Sequence, residues 1–161
     1  MLSKISATIN LFSYILILLF SYAAISKWLD YPQFLAQLGQ SPLLTPFAIW
    51  IGVSIPSLEL IICFLLIIEP LRLWGLYASY LLLLLFTGYI FVLTHFSEYV
   101  PCSCGGILQN LSWKGHLWFN LFFALGTAIV ILLYYKREHL KNFYCNKTGV
   151  AENLKQSKRI F

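Results

Sequence analysis

Apolar residues gather into four long runs, 5–25, 47–68, 73–93 and 117–135, and the stretches between and beyond them hold nearly all the charge. Each run is 19 to 22 residues long. A helix rising about 1.5 Å per residue needs roughly that length to cross a hydrocarbon core about 30 Å thick. Glu59 is the single charged side chain within the runs. Backbone amides in lipid must bond internally, and no stretch alternates polar and apolar as a barrel strand does, so helices are predicted. The expected fold class is all-α: an integral membrane four-helix bundle over residues 1–136, followed by a basic tail, 137–161, expected to be disordered. The first run exceeds the apolar core of a secretory signal, so it is read as a retained helix.

Polar positions within the runs predict which faces point inward. Ser6, Asn10, Ser13, Ser21 and Ala24 share one side of the first helix, and small or hydroxylated residues let helices approach closely in lipid. Gly52, Pro56, Glu59 and Cys63 align on the second, where Pro56 releases the Gly52 carbonyl from its usual partner. Trp113, His116, Asn120 and Thr127 align on the fourth, after a Ser112 cap. Between the first two spans, Pro32 and Gly39 bracket a short interfacial helix, expected to turn Phe34, Leu35 and Leu38 toward lipid and to lie as a lid over the bundle mouth. Trp28, Tyr31, Tyr99, Trp113 and Trp118 would form an aromatic belt at this level.

Composition agrees with the runs, since 60% of the 161 residues are hydrophobic and 11% charged, against about 25% charged in soluble domains. A water-facing globule is excluded. Charge also predicts an orientation. Lys4, Arg72 and the seven basic residues of 136–161 share one side of the bundle, whereas Lys27 and Lys114 stand on the other. Basic residues concentrate on the cytoplasmic side, so both termini are expected inside, with the 27–46 and 94–116 connections outside. Residues 136–161 carry the net charge of +5 and suit anionic lipid head groups. Nucleic acid is not an expected partner, because no base-reading pattern accompanies the charge.

Candidate chemistry concentrates in His95-Phe-Ser-Glu98-Tyr-Val-Pro101-Cys102-Ser-Cys104-Gly-Gly106 and in Trp113-Lys114-Gly115-His116. A Cys-x-Cys disulfide closes a very small ring, and strain of that kind favours thiol exchange over structural stapling. On the outer side of a membrane such a bridge can persist. Lys114, protonated His95 or His116, or the start of the fourth span would lower a thiol pKa there. Two rivals stand beside redox chemistry: an inert loop with incidental thiols, and a metal site completed by His95 and His116. Bis-histidine haem is weaker, because both histidines lie at span ends. Cys63 is expected to be a small packing residue, and Cys145 an incidental thiol of the tail. Glu59 should face inward, because a charged group at mid-bilayer costs at least about 2.5–3.5 kcal/mol. It is expected either to lock the bundle by bonding Asn120, Ser57 or a freed carbonyl, or to accept protons beside a buried cofactor.

These pieces resemble the MauE branch of the DoxX-like four-helix membrane proteins. The matching residues are Ser26-Lys27, Asp30 to Phe34, Pro56 to Glu59, Pro101 to Gly106, and Ser112 to His116 with Asn120, spread over residues 5–136. The resemblance implies thiol redox chemistry outside the cytoplasmic membrane of a bacterium, with a thioredoxin-like periplasmic protein or a secreted client as partner. Cys102 and Cys104 would cycle between dithiol and disulfide, while His95, His116 or Glu59 moves protons. Quinone is the cofactor suggested by the DoxX relatives and by an architectural analogy to vitamin K epoxide reductase, with Glu59, Trp113, His116 and Asn120 as candidate contacts. Nothing in the sequence points to methylamine itself. The alternatives are a non-catalytic subunit anchoring a partner complex in the membrane and a Cys/His metal-handling protein.

Overall fold

The computed structural model describes residues 2–40, 45–96 and 113–157, all of the regular structure in them being helical. Five α-helices follow one another: α1 Leu2–Leu29, α2 Tyr31–Gln40, α3 Ala48–Ile67, α4 Arg72–Phe96 and α5 Trp113–Ser157. One-turn 3₁₀ helices at Thr45–Phe47 and Glu69–Leu71 lead into α3 and α4. Helices α1, α3, α4 and α5 are each long and apolar enough to cross a membrane, as the four runs predict. Pro70 opens the tight α3–α4 turn, where its missing amide hydrogen is no loss, and the turn closes with Leu71 N donating to Ile68 O at 3.0 Å.

Cross-helix pairs fix the topology. Along α1, Asn10 meets Arg72 at the start of α4, Ser21 meets Cys63 of α3, and Lys27 meets Glu59 further up α3. Helix α3 therefore runs antiparallel to α1. Phe86 of α4 also faces Lys27, so α4 runs parallel to α1, and the 27, 59 and 86 positions share one end of the bundle. The core joins Ile9, Leu16 and Phe20 of α1 to Ile62 and Leu66 of α3, Leu76 and Leu83 of α4, and Ala124 and Val130 of α5. Large apolar side chains cover the outside: Leu18, Trp50, Trp74, Phe122 and Leu132 are all exposed. An apolar shell of that extent needs lipid around it.

The inward faces match the sequence in α1 and α3. Ser13 and Ala24 are buried, and so are Gly52, Pro56, Glu59 and Cys63. At the α1–α5 crossing, the Phe12 ring occupies the space a side chain on Gly126 would need; a Cβ there would stand 2.6 Å from Phe12 Cζ. Gly126→Leu is expected to overpack this crossing by about 1–3 kcal/mol. A lowered unfolding temperature in detergent micelles would register it, and an unchanged one would contradict the close approach.

Three expectations are corrected. Helix α1 passes Ile25 and continues to Leu29, because nothing in Ser26-Lys27-Trp28-Leu29 breaks a helix. Helix α2 does form over the predicted stretch, but Phe34 and Leu38 are buried against Ala48 of α3, with Leu35 and Ile51 beside them, rather than turned to lipid. An apolar helix face fits a neighbouring helix as well as it fits acyl chains, so composition alone could not choose. The basic stretch after Tyr135 continues α5 to Ser157, where disorder was expected. It contains no proline and is rich in Lys, Glu, Leu and other good helix formers, and Glu138 bonds both Arg137 and Lys141 within it.

Candidate functional site

Glu59 lies on the fourth turn of α3, and its side chain is 1% exposed. Its partner is Lys27: Nζ donates to Glu59 Oε1 at 2.6 Å and to the Ala23 carbonyl at 3.3 Å. Helical side chains slope toward the N-terminus, so a lysine near the end of α1 points back into the bundle and its four-carbon stem delivers the charge there. Phe34 of α2 and Phe86 of α4 stand 6.0 and 5.8 Å from Nζ at their ring centroids, within range of cation–π attraction. Four helices thus converge on one ammonium–carboxylate pair. Among the described residues no donor reaches the second carboxylate oxygen, Oε2.

Lys27 was expected among the outer basic residues. Its apolar surroundings extend the first run by one turn, and the apolar count alone missed that turn. The expected bonds from Asn120 and Ser57 to Glu59 are not made. Ser57 donates instead to Val53 O at 2.8 Å, and Asn120 stands half-buried on α5. Seated above the pair, α2 packs Tyr31 and Leu35 over Gly52, where even a Cβ would touch them at 3.4–3.6 Å. Trp28 stacks on Tyr31 with ring centroids 5.8 Å apart, so the α1–α2 corner is itself held by aromatic contact.

A second buried cation holds the opposite end. Arg72 was counted as a cytoplasmic surface charge, yet it is buried, with Nε donating to Leu66 O at 3.1 Å and Nη1 to Asn10 Oδ1 at 2.7 Å. An arginine at a helix start opposes the macrodipole, so these tertiary bonds explain its position. The Leu66 carbonyl belongs to the last turn of α3 and has no helical partner of its own. Arg72→Ala is expected to cost about 1.5–3 kcal/mol for each charge-assisted bond lost, and Arg72→Lys to recover only part, because a lysine cannot fork to both acceptors. Equal unfolding temperatures for Arg72→Ala and wild type would refute the tie.

Of the remaining candidates, His95 is exposed near the end of α4, stacked on Phe91 at 4.3 Å and placed with Nδ1 3.1 Å from Phe91 O and from Thr94 Oγ1. His116 is half-buried near the start of α5. Cys63 is a buried packing residue whose thiol lies 3.3 Å from Ser21 Oγ. Cys102, Cys104, Tyr99 and the Ser112 cap lie outside the described residues, as does the Trp113 side chain. Among the described residues, no three of His, Cys, Asp and Glu gather as a metal site would require.

Four apolar spanning helices closed around a buried ion pair define a multi-pass helical membrane protein. More narrowly, the chain belongs to the MauE family: the model of the methylamine utilisation protein MauE matches residues 5–134, through all four spans and the intervening cysteine segment. No curated protein and no solved structure matches the chain.

Proposed function

We propose that this protein is a membrane thiol–disulfide exchange protein whose working groups are Cys102 and Cys104. The observation that carries this is the Pro101-Cys102-Ser103-Cys104-Gly105-Gly106 segment in the connection between α4 and α5. The cysteine segment joins α4 and α5 at the same end of the bundle as the Lys27–Glu59 pair, with α4 running on past Phe86 to Phe96 by about 15 Å of helix. One thiolate of the couple attacks a partner disulfide and releases a partner thiolate. The second then displaces the remaining partner sulfur, so two electrons and two protons leave the couple and the partner becomes a dithiol; the reverse reaction oxidises the partner. The partner is a thioredoxin-like periplasmic protein or a secreted client, and a lipid-soluble quinone exchanges the same two electrons and two protons with the couple from the membrane side. His95 and His116, at the ends of the helices flanking the cysteine segment, serve as proton donors and acceptors.

The orientation proposed is both termini in the cytoplasm of a bacterium, with 97–112 on the periplasmic side of the inner membrane. Leaving out Lys27 and Arg72, whose charged groups bond within the bundle, strengthens the bias, with Lys4 and the seven basic residues of 136–161 against Lys114 alone. Labelling intact cells with a membrane-impermeant maleimide tests both parts. Cys102 and Cys104 should label only after reduction, and a single Cys→Ser variant should trap a mixed disulfide with its partner. Labelling that requires cell lysis would overturn the orientation. Protection lifted by a chelator and not by a reductant would favour metal handling. A permanent bridge with no trapped adduct would favour a non-catalytic anchoring subunit.

A further inference from the structure

The Lys27–Glu59 pair has two unused hydrogen-bonding positions on adjoining groups. Glu59 Oε1 is occupied by Lys27, whereas Oε2 is fully buried and meets no donor among the described residues. A carboxylate oxygen taken out of water without a donor is costly, so the site favours anything that supplies one. An ammonium carries three hydrogens, and Lys27 directs two of them to Glu59 Oε1 and Ala23 O. The third meets no oxygen or nitrogen of the described residues, and the nearest groups of other kinds include the Phe34 and Phe86 rings.

One acceptor beside one donor selects a particular chemistry. A carbonyl accepts but cannot donate to Oε2; a second cation would be repelled by Lys27; an anion would be repelled by Glu59. A neutral hydroxyl does both jobs with one oxygen. We propose that the Lys27–Glu59 pair binds a hydroxyl oxygen, which donates to Glu59 Oε2 and accepts from Lys27 Nζ. Two sources carry that group to this depth: a water molecule, or the phenolic hydroxyl of a lipid-soluble aromatic molecule arriving beside the Phe34 and Phe86 rings. Occupancy does not depend on thiol exchange, and only the assignment of the phenol as the quinol form of the electron carrier rests on that reading.

The test uses the full chain in lipid nanodiscs with carbon-13-labelled glutamate, followed by infrared difference spectroscopy, with trimethylhydroquinone and its dimethyl ether as probes. The hydroquinone should shift a carboxylate band that is missing in Glu59→Gln. Its ether, which cannot donate, should bind about tenfold more weakly, the loss of one hydrogen bond to a charged group. If neither probe shifts the band but a bound-water O–H stretch, moved by oxygen-18 water, disappears in Glu59→Gln, the hydroxyl site stands with water as its occupant. Hydroquinone and ether shifting the Glu59 band equally, or a chain that shows neither a probe-shifted Glu59 band nor such a water stretch, overturns the proposal. Should Glu59→Gln fail to fold, the hydroquinone–ether comparison on the wild-type chain still decides. A Cys102→Ser/Cys104→Ser chain should bind hydroquinone as wild type does, so failure of the thiol proposal and failure of this one are told apart.

Discussion

Lys27→Met is expected to destabilise the bundle by about 3–5 kcal/mol, the cost of leaving a buried charge without its partner. Glu59 is 1% exposed and Lys27 17%, so little solvent is at hand to replace the lost ammonium. The companion substitution Glu59→Gln alone leaves the ammonium stranded and should also weaken the fold. Removing both charges together should recover most of the loss, because a neutral pair is far less costly to desolvate than an unpaired charge. A double-mutant cycle on unfolding in detergent measures the coupling directly. A single Lys27→Met variant as stable as wild type, or a double variant no better than the worse single one, would show that the contact does not hold the helices.

Replacing Cys102 and Cys104 with serine is expected to abolish thiol exchange, since a serine hydroxyl forms no disulfide and is not ionised near neutral pH. Both residues lie outside the helices that form the core, so the unfolding temperature should stay at the wild-type value. This separates chemistry from architecture: Lys27→Met weakens the fold, whereas the double serine variant loses exchange. Client oxidation state in cells carrying the double variant is the readout. Unchanged client oxidation would end the thiol-exchange proposal while leaving the four-helix bundle intact.

The spans were legible because lipid imposes so simple a rule on length and polarity. Runs such as 73–93 have no other plausible home, and α4 covers that run. The inward face of α3 was equally readable, because Gly52, Pro56, Glu59 and Cys63 repeat at helical spacing and an acid cannot face acyl chains cheaply. What escaped was pairing. Lys27 and Glu59 are 32 residues apart, and a lysine just past an apolar run looks like any interfacial lysine until the direction of its side chain is known. Arg72 escaped for the same reason: beside Pro70 it reads as a turn residue, and only the fold brings Asn10, 62 positions earlier, to its guanidinium. Charge-bias rules assign such residues to water, and here two of them are inside.

Those two ties have a consequence for how the protein is made. Both fasten α1, one near each end, to residues that the ribosome adds much later. When α1 first enters the bilayer, Asn10 faces lipid without Arg72, and Lys27 has no counter-charge within reach. A lysine near a helix end can meet that stage by extending its ammonium to the interface. Synthesis of α3 and α4 supplies Glu59 and Arg72, so the first helix of the chain cannot complete its two polar ties until the third spanning helix has begun.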